Sequence, residues 1–100
     1  MKTNLIKLSV FLNEKENWCK HSYHSSRGGF CIIGAIGHLF SGKEEILVKN
    51  FLASKLEDFL EQRKLKINTG KYNLTLATFN DDVSHEIIID FLNFALLTIR

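Results

Sequence analysis

Apolar residues recur at three- and four-residue intervals across the middle of this chain, at Val48, Leu52, Leu56, Phe59 and Leu60, with Phe51 on the flank. An α-helix sets such a series on one face; a strand does not. Glu44 and Glu45 lead the segment, and Arg63 and Lys64 close it. Each sign thus meets the end of the helix dipole that favours it. Ser41, with Glu44 three residues on, reads as an N-cap completed by a capping box. A long amphipathic helix over 43–63 constrains the fold most, because its apolar stripe must be covered by other elements.

Three further segments supply that cover. Leu5, Leu8 and Leu12 share a helical face with Phe11 beside them, which predicts a first helix over 3–14. Phe30 to Phe40 is an apolar run ended by Ser41-Gly42, a C-cap signal. Its Gly34, Ala35 and Gly37 include poor helix formers but let another backbone come close, which places this helix at the centre. The last helix is expected over 83–98, with Ile87, Phe91, Phe94, Ala95 and Leu97 or Thr98 inward. Asn80-Asp81-Asp82 would be its cap and negative first turn.

Between 65 and 80 two patterns compete. Lys66-Ile67-Asn68-Thr69-Gly70 can turn a hairpin in which Tyr72, Leu74 and Leu76 alternate as a strand; Leu74 to Phe79 can equally form a helical turn. The expected architecture is one all-α, four-helix bundle-like domain over residues 1–100, with at most one short β-hairpin.

Composition narrows the function classes. Apolar residues make up 45% of the chain and include eight Phe, enough to fill a core, so disorder is excluded as the main state. Thirteen Lys and Arg against eleven Asp and Glu leave a net charge of +2. That argues against an acidic nucleic-acid mimic and against a strongly basic groove binder. Lys64, Lys66 and Lys71 near Tyr72 form a modest basic cluster, read as a solvated face ahead of a nucleic-acid contact. No apolar run is long and unbroken enough to span a bilayer. The mixed run after Met1-Lys2-Thr3-Asn4 lacks the apolar core of a signal peptide. A cytoplasmic protein with Cys19 and Cys31 reduced is expected.

Trp18 follows the first helix, and a polar loop with Gly28-Gly29 leads to Cys31-Ile32-Ile33-Gly34-Ala35-Ile36, a C-x-x-G-A box. After the long helix come Phe79-Asn80-Asp81 and then His85-Glu86. In this order the boxes resemble an uncharacterised bacterial and phage family, domain of unknown function 6197, over about residues 5 to 97. Two departures stand out: Phe79-Asn80-Asp81 occupies the box expected as Trp-Asn-Asp, and Cys19-Lys20 replaces the small polar residues expected after the Trp. The resemblance implies a fold and a set of key positions and carries no reaction.

Several of these positions can carry chemistry. Cys31 lies near a helix start, where the dipole lowers a thiol pKa, and His85 opens another helix just after Asn80-Asp81. Cys31, His85 and Asp81 are thus a candidate nucleophile, base and orienter. Against this, Phe30, Ile32 and Ile33 flank Cys31, and a buried Cys behaves as a small hydrophobe. Cys19, His21, His24 and Cys31 are all zinc-ligand types, but their spacing matches no standard zinc module. No metal and no cofactor is expected. Asn80 and Asp81 are helix-capping types, and one of them is expected to accept the Trp18 indole N–H. Trp18, Cys31, Gly34, Phe79, Asn80 and Asp81 are expected to meet as a latch, Gly34 making room for Trp18, that ties the early loop to the last helix.

The leading expectation for function is a small non-enzymatic protein that binds another protein, or itself as a homodimer, through an apolar-aromatic surface. A chain of this length has little interior for so many Phe, Leu and Ile. Occurrence of the resembling family in phages points to an accessory factor that inhibits a host-defence protein. Two alternatives stand beside it. One is a Cys31-dependent thiol hydrolase or transferase. The other is a small-ligand binder with Trp18, Phe79, Asn80 and Asp81 as its binding residues.

Overall fold

The computed structural model describes residues 1–67 and 74–99. Among the described residues it is all-α, with five helices: α1 (Lys2–Asn13), α2 (Ile32–Leu39), α3 (Gly42–Gln62), α4 (Leu76–Asp82) and α5 (His85–Leu97). A single 3-10 turn, Lys15–Asn17, follows α1. The long helix spans the range its periodicity predicts, and it buries Val48, Leu52, Leu56, Phe59 and Leu60. α1 buries Leu5, Leu8 and Leu12, as their spacing requires.

α5 lies between α1 and α3, and α2 lies against α1, α3 and α4. Their shared core holds an aromatic knot in which Phe59, Phe79 and Phe91 meet pairwise, edge to face, at centroid distances of 6.0, 5.3 and 5.1 Å. Such geometry sets the positive edge of one ring against the negative face of the next. Arg63 ends α3 and reaches Asp90 on α5 with two hydrogen bonds, of 2.8 and 3.2 Å, while its guanidinium lies over Phe59 and Phe94.

The structure corrects several expectations. There is a fifth helix: of the two patterns that compete over 65–80 the helical one holds at Leu76–Asp82, which forms α4. Thr75 and Thr78 make its capping box: each backbone N–H donates to the other's hydroxyl. The Ser41 side chain, by contrast, makes no cap hydrogen bond, so the box expected at Glu44 does not form. Asn80-Asp81-Asp82 closes α4 instead of opening α5, whose N-cap is Ser84, accepting from the Ile87 N–H. Consequently the buried face of α5 is Ile88, Phe91, Leu92 and Ala95. Ile87 and Phe94 are half-buried, and Leu97 is exposed. The hairpin turn at 68–70 and the positions of Lys71 and Tyr72 lie outside the described residues. No described helix is long and apolar enough to cross a membrane.

α2 begins two residues later than its apolar run, because Phe30 is held in extended backbone. It forms a parallel bridge with Trp18 and an antiparallel one with His24. Within α2 the two glycines differ. A Cβ on Gly34 would run into the carbonyl oxygen of Tyr23, so the loop backbone sits directly on this residue. The neighbour that needs a residue without bulk is therefore Tyr23, not Trp18 as the sequence suggests. Trp18 finds its own such neighbour in Gly29, where a Cβ would lie 2.8 Å from the Trp18 carbonyl oxygen. Gly37 is exposed, and a Cβ there would meet nothing closer than a Glu45 carboxylate oxygen at 3.9 Å.

The two glycines should answer oppositely to one methyl group. Gly34→Ala is expected to destabilise the protein by at least about 1 kcal/mol, since a backbone must shift. Gly37→Ala is expected to stabilise it by roughly 0.5–1 kcal/mol through helix propensity. Urea midpoints of the two variants check this, and a Gly34→Ala midpoint at or above the parent's contradicts the close approach.

Candidate functional site

Residues 18–31 form an irregular stretch between the 3-10 turn and α2. Asn80 organises it. Its side chain points from the last turn of α4 into the core and is fully buried. The Oδ1 atom accepts from the Trp18 indole Nε1–H at 2.7 Å and from the Ile32 backbone N–H at 3.1 Å. The Nδ2 group donates to the Cys19 carbonyl at 3.0 Å and to Asp81 Oδ1 at 3.2 Å. A primary amide has two acceptor and two donor sites, and all four are filled. One side chain thereby joins the start of the loop, the first residue of α2 and α4.

Asp81 extends the tie. Its Oδ1 accepts the His21 backbone N–H at 2.7 Å, and its Oδ2 lies 3.7 Å from His21 Nδ1. His21 adopts the left-handed backbone region, φ 64°, a conformation that costs a non-glycine residue and is held here by that bond. The latch expected from the sequence thus forms on Trp18, Asn80 and Asp81, but it closes on α4, not on the last helix.

The candidate catalytic set does not assemble. His85 lies beside Trp18, ring centroids 5.6 Å apart, with its Nε2 2.6 Å from the Leu12 carbonyl. A carbonyl only accepts, so Nε2 carries the proton, and it serves one of the free carbonyls that end α1. Asn17 serves another, donating to Phe11 at 2.9 Å. His85 lines a cleft of about 450 Å³ with Trp18, Lys15 and Lys20. Cys31 lines a different cleft, of about 330 Å³, with His21, Ser22, Tyr23, Ala77 and Asp81. The histidine beside Cys31 and Asp81 is therefore His21, which sequence reasoning had set among the metal ligands.

Cys31 is the N-cap of α2, and its Sγ accepts the Gly34 N–H at 3.3 Å. Burial nevertheless pushes its thiol above the ordinary range, a rise that the N–H groups of Gly34 and Ile33 only partly oppose and that Asp81 adds to. The helix N-terminus was expected to lower this pKa; desolvation outweighs it. Cys19 is also raised, by burial first and then by the neighbouring Cys31. A thiol held protonated is a poor nucleophile at neutral pH.

The four candidate metal ligands each have other partners. Cys19 Sγ donates to the Ser22 carbonyl at 3.3 Å, and His21 faces Asp81. His24 stacks on Phe30, rings nearly parallel at 4.2 Å, and His38 covers the other face at 4.6 Å. Among the described residues no three His, Cys, Asp or Glu side chains converge on one point. Of the candidate binding residues, Phe79 is fully buried in the aromatic knot and Asn80 fully buried beneath the loop it ties, so neither touches a ligand. Trp18 and Asp81 remain partly exposed.

Residues 2–96 match a family described as being of unknown function (DUF6197). No curated protein and no solved structure matches the chain.

Asn80 substitutions test the tie. Asn80→Ala is expected to cost about 3 kcal/mol or more, since it strands the Trp18 indole N–H, the Ile32 N–H and the Cys19 carbonyl. Asn80→Asp keeps Oδ1 but aims a second oxygen at the Cys19 carbonyl. Protonated, that oxygen donates; ionised, it repels. The introduced carboxyl would have its folded-state pKa raised above the unfolded value of about 3.9, so the variant should approach the parent below about pH 4 and fall behind as pH rises. Urea midpoints at acid and neutral pH measure the gap, and a pH-independent gap contradicts the Cys19 contact.

Proposed function

The chain belongs to the family of unknown function DUF6197, and from that premise we propose that it is a small non-enzymatic binding protein whose recognition surface is the 18–31 loop. One observation carries this reading. An irregular loop is held at its start by a hydrogen bond from Asn80, and again at His21, whose backbone N–H donates to Asp81, and it presents Tyr23, 66% exposed, at its outer side. A loop set by its scaffold loses little entropy on binding, and an exposed Tyr is a favoured anchor at protein interfaces. The partner class is another protein, or a second copy of this chain as a homodimer. The phage occurrence of the resembling family extends the reading to an accessory factor acting on a host-defence protein.

The expected apolar-aromatic surface takes a narrower form in this reading. The large apolar side chains that the described residues expose are Met1, Ile6 and Val10 at the first helix, Tyr23 in the loop, Ile46 and Leu47 on α3 and Leu97 on α5. Only Tyr23 stands on the segment that the latch holds in place.

A second reading, thiol chemistry at Cys31, has one observation in its favour: Cys31, His21 and Asp81 line one cleft. The protonated thiol weighs against it. Under iodoacetamide at neutral pH, partly exposed Cys19 is expected to be alkylated first, and Cys31, 4% exposed, only as fast as the protein opens. Intact mass against time reads both steps; rapid modification of Cys31 in the folded protein would restore the enzymatic reading.

For the binding reading, a photo-crosslinking side chain at position 23 should trap a partner or a second copy in cells. The same group at exposed Glu57 of α3 should not. Against the purified partner, Tyr23→Ala should weaken binding by about tenfold or more without lowering the melting temperature. Equal trapping from both positions, or unchanged affinity, rejects the loop as the surface.

A further inference from the structure

The loop carries both cysteines of the chain, and an isolated backbone bridge joins the residues that precede them. The Phe30 N–H donates to the Asn17 carbonyl at 2.8 Å, and the Cys19 N–H donates to the Phe30 carbonyl at 3.0 Å. These two bonds make the parallel bridge that sets Trp18 opposite Phe30. One residue further along each chain stand Cys19 and Cys31, where the Asn80 amide takes the Ile32 N–H and the Cys19 carbonyl in place of the next direct bond. Cys31 is still extended there, with φ −73° and ψ 173°. Neighbouring extended chains lie about 4.8 Å apart. A disulfide joins Cα atoms about 4.4–6.8 Å apart.

The side chains also share a face. A Cβ on Gly29 would come within 3.1 Å of the Cys19 Cβ. Gly29 and Cys31 are two residues apart on an extended segment, so their Cβ directions coincide. Ser22 adjoins both residues: Cys19 Sγ donates to its carbonyl, and Ser22 and Cys31 line one cleft. Both cysteines are free thiols in this structure.

We infer that Cys19 and Cys31 are a reversible redox pair, closing an intraloop disulfide by exchange with a small-molecule disulfide such as oxidised glutathione. The more exposed Cys19 reacts first. Its thiolate attacks one sulfur of the small disulfide, the S–S bond breaks, and one small thiol leaves carrying the proton that Cys19 gave up. The Cys31 thiolate then attacks the Cys19 sulfur of the mixed disulfide. The protein S–S bond forms, and the second small thiol leaves with the proton from Cys31. Two electrons pass from the cysteine pair to the small disulfide, which ends as two thiols. Burial, which holds both thiols protonated, makes the exchange slow at neutral pH and faster as pH rises.

The ring so closed runs through residues 19–31 and contains Tyr23. The inference does not rest on what the loop binds. Its signature is a native state that favours the disulfide more than the unfolded chain does, because only the folded loop sets the two cysteines in register.

The folded protein is equilibrated with mixtures of reduced and oxidised glutathione, quenched with acid and weighed intact; the same series is run in urea. The expected product is a chain two hydrogens lighter than the reduced form and without adduct. Its equilibrium constant should be at least about tenfold larger in the native state than in urea. Cys31→Ser should stop at a glutathione adduct on Cys19. A persistent adduct on the parent protein, no reaction, or a native constant less than tenfold above that in urea overturns the inference. The parent comparison stands even if the variant does not fold.

Discussion

The buried amide of Asn80 is the contact on which this fold turns. Helices bury apolar stripes wherever a stripe is offered, but hydrophobic contact has no direction and does not fix how an irregular loop lies. Asn80 supplies direction. It has no exposure and all four of its hydrogen-bonding sites are used, on Trp18, Ile32, Cys19 and Asp81. A buried polar group without partners carries a large penalty, so any alternative path of the 18–31 loop would strand several atoms at once. Among the described residues, no buried side-chain nitrogen or oxygen lacks a partner.

The same logic accounts for residues that look catalytic by type. Cys31 caps a helix, His85 closes another and Asp81 holds a backbone N–H in the left-handed region. Each polar atom completes the hydrogen bonding of a helix end or of the loop, where backbone groups lack ladder partners of their own. Nucleophile, base and acid types are therefore abundant around the loop, yet the histidine nearest in sequence to Asp81 is turned to a different cleft from Cys31.

Much of this was legible in the sequence, and the failures have physical causes. The apolar spacings located α1 and α3 closely, because a stripe on one helix face is a property of local order alone. Trp18 was paired with Asn80 or Asp81 from chemistry, since an indole N–H in a core needs an acceptor, and the structure selects Asn80. α4 stayed one of two open patterns because Thr75 and Thr78 cap each other with two hydroxyls, where the expected signature has Glu or Gln at the fourth place. Without its end in view, Asn80-Asp81 was set at the beginning of the next helix, which turned the inward face of α5. Gly34 was read as a notch, correctly, but its occupant could not be read: a carbonyl from Tyr23 leaves no mark on either residue's type.

The packing of α1 against α5 has a consequence for how the chain is made. Leu5, Leu8 and Leu12 are made well before α5, the helix that packs on them most extensively. At elongation rates of about 5–20 residues per second the stripe waits roughly 4 to 17 seconds for that cover. The α1 stripe is thus made well ahead of its partner, and this pair cannot close until α5 has been synthesised.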